Sequence, residues 1–208
     1  MKNSILTIAL MIIVTSTFGQ LPFTFDLGLK GGINSSQINT ENATINNVSY
    51  TDFKSATKSG YNLGIFARLG GKRMYVQPEL LYCLKNGQSS SGSLITQTME
   101  LKTIQIPLLL GYKLIDLKVV SIRAFTGPAM SFPMTGSTIK SNLPNISPNN
   151  LKNNIWDWQL GAGVDILKFT FDVRYEWGLS NISGTIPDNI SFVNKGNTLT
   201  FSVGFKFI

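Results

Sequence analysis

Between Ser59 and Gly87 the chain reads SGYNLGIFARLGGKRMYVQPELLYCLKNG, two alternating runs separated by Gly70-Gly71-Lys72-Arg73. Tyr61, Leu63, Ile65, Ala67 and Leu69 share one parity, with Asn62, Gly64 and Arg68 on the other. After the turn, Met74, Val76, Leu80, Tyr82 and Leu84 oppose Gln77, Glu79 and Lys85. A period of two with a tight Gly-Gly connection predicts a β-hairpin.

The same period recurs along the chain. Phe23 to Gly31 is the first predicted strand, with Phe23, Phe25, Leu27 and Leu29 set against Thr24, Asp26, Gly28 and Lys30. Gly32 to about Lys58 is polar and carries no helical stripe, which predicts a loop. The hairpin follows, then a Gly/Ser-rich break from Asn86 to about Thr98. A fourth strand, about Glu100 to Tyr112, alternates except at Leu109, and a fifth, about Val119 to Met130, alternates except at Phe125. Ser131 to about Ile155 predicts another long loop. The sixth strand, about Trp156 to Leu167, sets Trp158, Leu160, Ala162, Val164 and Ile166 against Asp157, Gln159, Gly161, Gly163 and Asp165. The seventh, from Phe169, has Phe169, Phe171, Val173, Tyr175 and Trp177 opposite Thr170, Asp172, Arg174 and Glu176. A loop from about Leu179 to Gly196 precedes the last strand, in which Leu199, Phe201, Val203, Phe205 and Phe207 alternate with Thr200, Ser202, Gly204 and Lys206. Pro78, Pro107 and Pro128 fall inside three consecutive strands and predict a bulge or bend of the wall, since proline cannot donate to a ladder.

The pattern therefore predicts an all-β fold of about eight antiparallel strands with alternating long and short connections. An even number of strands closes an up-and-down barrel without edges. Alternating connections put every long loop at one rim and every short turn, with both termini, at the other.

No predicted helix covers the apolar parity, and composition narrows what does. Only 14% of the 208 residues are charged, against 43% hydrophobic, where about 25% charged is usual for soluble domains. A soluble carrier of the lipocalin type, apolar within and polar without, would need more charge on its outer face. The opposite arrangement fits better: lipid outside, and a lumen filled by Asp26, Arg68, Glu79, Arg123, Asp165, Asp172, Arg174, Glu176 and Lys206, with both signs available for ion pairs. Tyr61, Tyr82, Tyr112, Trp158, Tyr175 and Trp177 on the apolar parity match the aromatic girdles of transmembrane barrels. The soluble carrier stays as the alternative reading, and a small-solute channel as a third.

Residues 1–19 have the layout of a cleavable signal peptide: Lys2, the apolar run Ile5 to Val14, then Thr17-Phe18-Gly19. Residues 20–208 are then the barrel domain. The single cysteine, Cys83, lies on the inward parity and reads as a packed thiol. With no histidine, His-dependent triads and His metal sites are excluded. Asp172 and Glu176 are expected to be neutralised by Arg174 and Lys206 rather than to do acid–base work, so no catalytic residue, cofactor or metal is predicted. The net charge of +7 is scattered, which argues against nucleic acid. Lys72, Arg73, Lys113, Lys118 and Lys168 near the short turns face the level of anionic head groups.

The chain also resembles the PorT-like outer-membrane β-barrel family of Bacteroidetes-type bacteria. FDLGLKGGINSSQI at Phe25 to Ile38, GYNLGIFARL, YVQPELLYCLKNG, IQIPLLLGYKL at Ile104 to Leu114, FTGPAMS, GAGVDI, DVRYEWGLSNI and FSVGFKF carry the resemblance in order. It implies an exported eight-stranded barrel of the bacterial outer membrane, without catalytic residues. Its partners would be outer-membrane lipid, the barrel-assembly machinery and, at the loops, envelope proteins or glycans; some members look like secretion or gliding accessories. Ile208 after Phe207 departs from the usual aromatic last residue, which bears on how the assembly machinery reads this end.

Overall fold

The computed structural model describes residues 24–45, 48–50, 54–91, 95–117, 119–134, 137–141, 154–180 and 190–208. The leader expected at 1–19 lies outside them. The elements are β1 (Thr24–Ile45), β2 (Val48–Tyr50), β3 (Lys54–Gly70), β4 (Met74–Ser91), β5 (Ile95–Asp116), β6 (Val120–Pro133), β7 (Thr138–Ser141), β8 (Ile155–Ile166), β9 (Phe169–Gly178) and β10 (Ile190–Lys206). Eight of them, all but the short β2 and β7, pair antiparallel with their neighbours, and β10 pairs with β1 to close the barrel.

The stagger of the barrel follows from its registers. Starting at Leu84 on β4, the pairing row runs through Tyr61, Ile33, Phe201, Val173, Ala162, Ala124 and Tyr112 and returns to β4 at Met74, ten residues away. A fixed shear of this kind tilts the strands, and eight of them leave an interior just wide enough for side chains.

The apolar parity faces outward. Phe169, Phe171, Phe201 and Phe205 are 48, 44, 48 and 42% exposed on the outer wall. Their neighbours Thr170, Asp172 and Ser202 are buried in the lumen. This orientation removes the soluble carrier, which needs the reverse. Trp158, Trp177, Tyr61 and Tyr112 also point outward, and Tyr82 and Tyr175 are half-buried on the same face. Tyr175 and Trp177 pack edge to face at 4.7 Å, and Phe169 and Phe205 do the same at 5.3 Å. The Trp158 indole N–H would have no acceptor in hydrocarbon; it donates to the Thr126 hydroxyl at 2.9 Å.

Several predicted loops are shorter than the polar composition implied. β1 continues to Ile45 and β3 begins at Lys54, so most of the stretch expected as a loop from Gly32 to Lys58 is strand. The break expected at Asn86 to Thr98 is largely ladder, because Asn86 through Ser91 pair with Glu100 through Ile95. β10 likewise starts at Ile190 instead of just after Gly196, and β7 lies within the loop expected after β6. The sequences of these segments lack the apolar alternation from which strands are read.

The prolines do not mark bulges. Register is constant through Pro78 and Pro107, and unbroken from Val120 to Ser131 through Pro128. The shifts fall instead at Thr40/Asn42, Thr57/Tyr61 and Lys113/Ile115. Each of Pro78 and Pro107 sits beside two residue pairs that drop out of its ladder, so the missing N–H is absorbed without displacing the strand. At the β8–β9 turn, Leu167 takes φ 54°, a left-handed conformation costing an L-residue roughly 1–2 kcal/mol.

Candidate functional site

The only dense polar cluster among the described residues is the lumen, and it is built in three connected layers. Toward the long-loop rim, Lys85 on β4 bonds to Glu176 on β9. The second oxygen of that carboxylate accepts from Gln105 at 2.8 Å and Gln159 at 2.7 Å. Asp157 lies above them, accepting from Ser131 at 3.3 Å.

In the middle, Arg174 donates from two nitrogens to both oxygens of Glu79 at 2.9 Å. Lys30 sits 2.7 Å from both Glu79 and Asp172, linking β4 to β9 across the lumen. Gln159 bonds to Arg174 at 2.9 Å and thereby ties this layer to the one above.

Toward the short-turn rim, Arg123 is completely buried and fills its fork: Asp165 at 3.0 Å, the Tyr75 hydroxyl at 3.2 Å, Thr170 and Asp172. Asp165 also accepts from Arg68 at 2.5 Å and lies 3.6 Å from Lys206. Asp26, at the open end, is 3.6 Å from Arg68 and 3.8 Å from Lys206. Charge-assisted and bidentate bonds of this type are the strong members of their class.

All nine residues named from the sequence therefore lie in one network, but the pairing differs from the expectation for two of them. Asp172 meets Lys30 and Arg123, and Glu176 meets Lys85; Arg174 and Lys206 bind other carboxylates. Residues two apart on a strand stand side by side along the wall, whereas partners across the narrow lumen approach end to end. Lys30, Lys85 and Asp157 belong to the same network and were signalled only by lying on the polar parity.

Of the aromatic residues on that parity, Phe125 stands out in the sequence as a break in the alternation, whereas Phe66 and Tyr75 carry no such mark. Phe66, Tyr75 and Phe125 point inward, and each stands directly across a strand pair from a glycine: Gly28, Gly111 and Gly161. A Cβ at Gly28 would lie 2.6 Å from the Phe66 ring, and one at Gly161 would lie 2.5 Å from Phe125. The glycines make room for rings, and the rings support cations. Arg68 stacks over Tyr75 at 4.8 Å, while Arg123 and Arg174 each lie 5.3 Å from the Phe125 centroid. Leu109 and Phe125 are inside, where their parity put them. Cys83 is buried, its thiol 3.8 Å from Gln105.

Six cations (Lys30, Arg68, Lys85, Arg123, Arg174, Lys206) and six carboxylates (Asp26, Glu79, Asp157, Asp165, Asp172, Glu176) share this lumen, so its formal charge is zero. Among the described residues, voids of about 20 and 10 Å³ lie inside it, around the space one water needs. The arrangement is that of a plug: charges, amides and rings occupy the section that a channel would leave to solvent.

A closed eight-stranded barrel with an apolar belt, aromatic girdles and an ionic interior defines an integral protein of the bacterial outer membrane. Residues 18–184 match the family described as outer membrane protein beta-barrel domain, and the chain belongs to that family. Among solved structures it is similar to the outer membrane protein OprG from Pseudomonas aeruginosa, with 15% identity, 90% of this chain and 98% of that one covered, and a TM-score of 0.55. It also aligns with Ail, the attachment invasion locus protein of Yersinia pestis, at 12% identity over 88% of this chain and 99% of that one, with a TM-score of 0.44. No curated protein sequence matches the chain.

Proposed function

We propose that this protein is a non-enzymatic, self-sealed barrel that serves the envelope, or a membrane complex, through the long connections at one rim. The observation behind this reading is the neutral, side-chain-filled lumen. A permeation path would need a continuous void, and a catalytic site would need an open cleft beside its titratable groups. In this reading residues 1–19 are the export signal, the barrel-assembly machinery inserts residues 20–208, and the nine lumen residues named from the sequence hold the cylinder together. The ordered motifs from Phe25 to Phe207 support a PorT-like member, and a secretion-accessory role would follow from that kinship. Envelope proteins or glycans are the partners to seek at the loops.

Planar-bilayer recording of the purified protein tests the sealed lumen. The expected result is conductance no higher than that of protein-free membrane. Sustained high-conductance openings by the unmodified chain would overturn the reading in favour of a small-solute channel. Photocrosslinkers placed at Asn145 and Asn181, within two of the long connections expected from the sequence, would then report which envelope component they touch.

A further inference from the structure

Because the lumen is neutral, the +7 of the chain resides outside it. Part of that excess is gathered at the short-turn rim. The β3–β4 turn exposes Lys72 and Arg73, the β8–β9 turn exposes Lys168, and Lys113 on β5 lies next to the β3–β4 turn. Lys113 is matched by Asp116 at 3.4 Å. Among the described residues no carboxylate pairs with Lys72, Arg73 or Lys168.

One of these cations is held in a defined place. The Arg73 guanidinium donates to the Tyr112 hydroxyl at 3.2 Å, and the Arg73 carbonyl accepts from the Lys113 N–H at 2.8 Å. Tyr112 points outward into the girdle and is 40% exposed. The pair thus fixes Arg73 on the lipid side of the wall, at the depth where aromatic rings meet head groups. Four guanidinium N–H groups remain for another acceptor, and the Tyr112 O–H, accepting from Arg73, has its own proton to give. A planar fork of N–H donors next to a hydroxyl suits the oxygens of a phosphodiester.

We infer that Arg73, Tyr112 and Lys72 form a head-group site for an anionic phospholipid of the periplasmic leaflet. Lys168, on the turn diametrically opposite in strand order, gives the barrel a second contact with the same leaflet. Short turns face the periplasm in barrels of this kind, so the lipid belongs to the inner leaflet. The inference concerns the rim alone and does not depend on whether the lumen is sealed.

The test uses the full chain refolded into phosphatidylcholine vesicles containing trace spin-labelled phosphatidylglycerol or spin-labelled phosphatidylcholine, with the motionally restricted fraction read by electron paramagnetic resonance. A cation at a charged surface contributes about fivefold in affinity, so the wild type should select phosphatidylglycerol severalfold at low salt. Lys72→Gln with Arg73→Gln should abolish most of that selectivity, and Tyr112→Phe should reduce it partway. Lys58→Gln with Lys102→Gln, which removes equal charge from the long-loop half, should leave it intact. Heat-modifiable gel mobility confirms that each variant is folded. Equal association of both lipids with the wild type would overturn the inference. So would equal loss in the two double variants, or binding to purified peptidoglycan through Lys72 and Arg73 without lipid selectivity.

Discussion

At the scale of single residues, the lumen shows how charges survive under a membrane. Glu79 accepts two bonds from Arg174 and one from Lys30, with all three buried. Removing one partner strands the other: breaking a buried pair costs about 3–5 kcal/mol, whereas replacing both with apolar groups of like volume is often neutral. Arg174→Met should therefore lower unfolding stability in urea titrations of vesicle-embedded protein by about 3–5 kcal/mol. Glu79→Met alone is expected to cost as much, since it also deprives Lys30. The double variant should lose much less than the summed singles, because each substitution removes the charge the other leaves unmatched; additive losses would show that the two side chains do not act as a pair.

The element scale shows what the alternating pattern can and cannot reveal. β9 is the most regular strand, ten residues in which every second side chain is buried or turned to lipid. At about 3.3 Å per residue and 45° tilt it spans roughly 23 Å, close to the apolar band of an outer-membrane barrel. Its limits, and those of β8 within a residue or two, were legible because lipid on one side and ions on the other give maximal contrast. The outer halves of β1, β3, β4, β5 and β10 were not, because Ser, Thr, Asn and Gln occupy both parities of their sequences. Lumen membership followed from parity, while the identity of each ion pair depends on shear, which no single strand encodes. Depth along β9 gives a quantitative check. Val173→Arg, at mid-strand, should destabilise the inserted barrel by about 2–4 kcal/mol, and Phe169→Arg, beside the turn, by about 0–1 kcal/mol. Equal costs at the two positions, measured by reversible unfolding in lipid, would mean that hydrocarbon does not cover this strand as described.

For the molecule as a whole, the strand lengths make the barrel lopsided. β1 and β5 run 22 residues each, and β3, β4 and β10 run 17 or 18, against 14, 12 and 10 for β6, β8 and β9. Since about ten tilted residues suffice to cross the membrane, the longer strands continue beyond it at the long-loop rim, on one side of the circumference. If that rim faces outward, as long loops do in bacterial barrels, a thiol there is reachable from the medium and one at a short turn is not. The native Cys83 gives a built-in blank, because it is buried in the lumen. A membrane-impermeant maleimide applied to intact cells should therefore leave the wild type unlabelled, label Lys58→Cys at once, and label Lys72→Cys only after the envelope is permeabilised. Labelling of Lys72→Cys on intact cells, with Lys58→Cys protected, would place the tall side of the barrel in the periplasm and reverse which compartment its partners occupy.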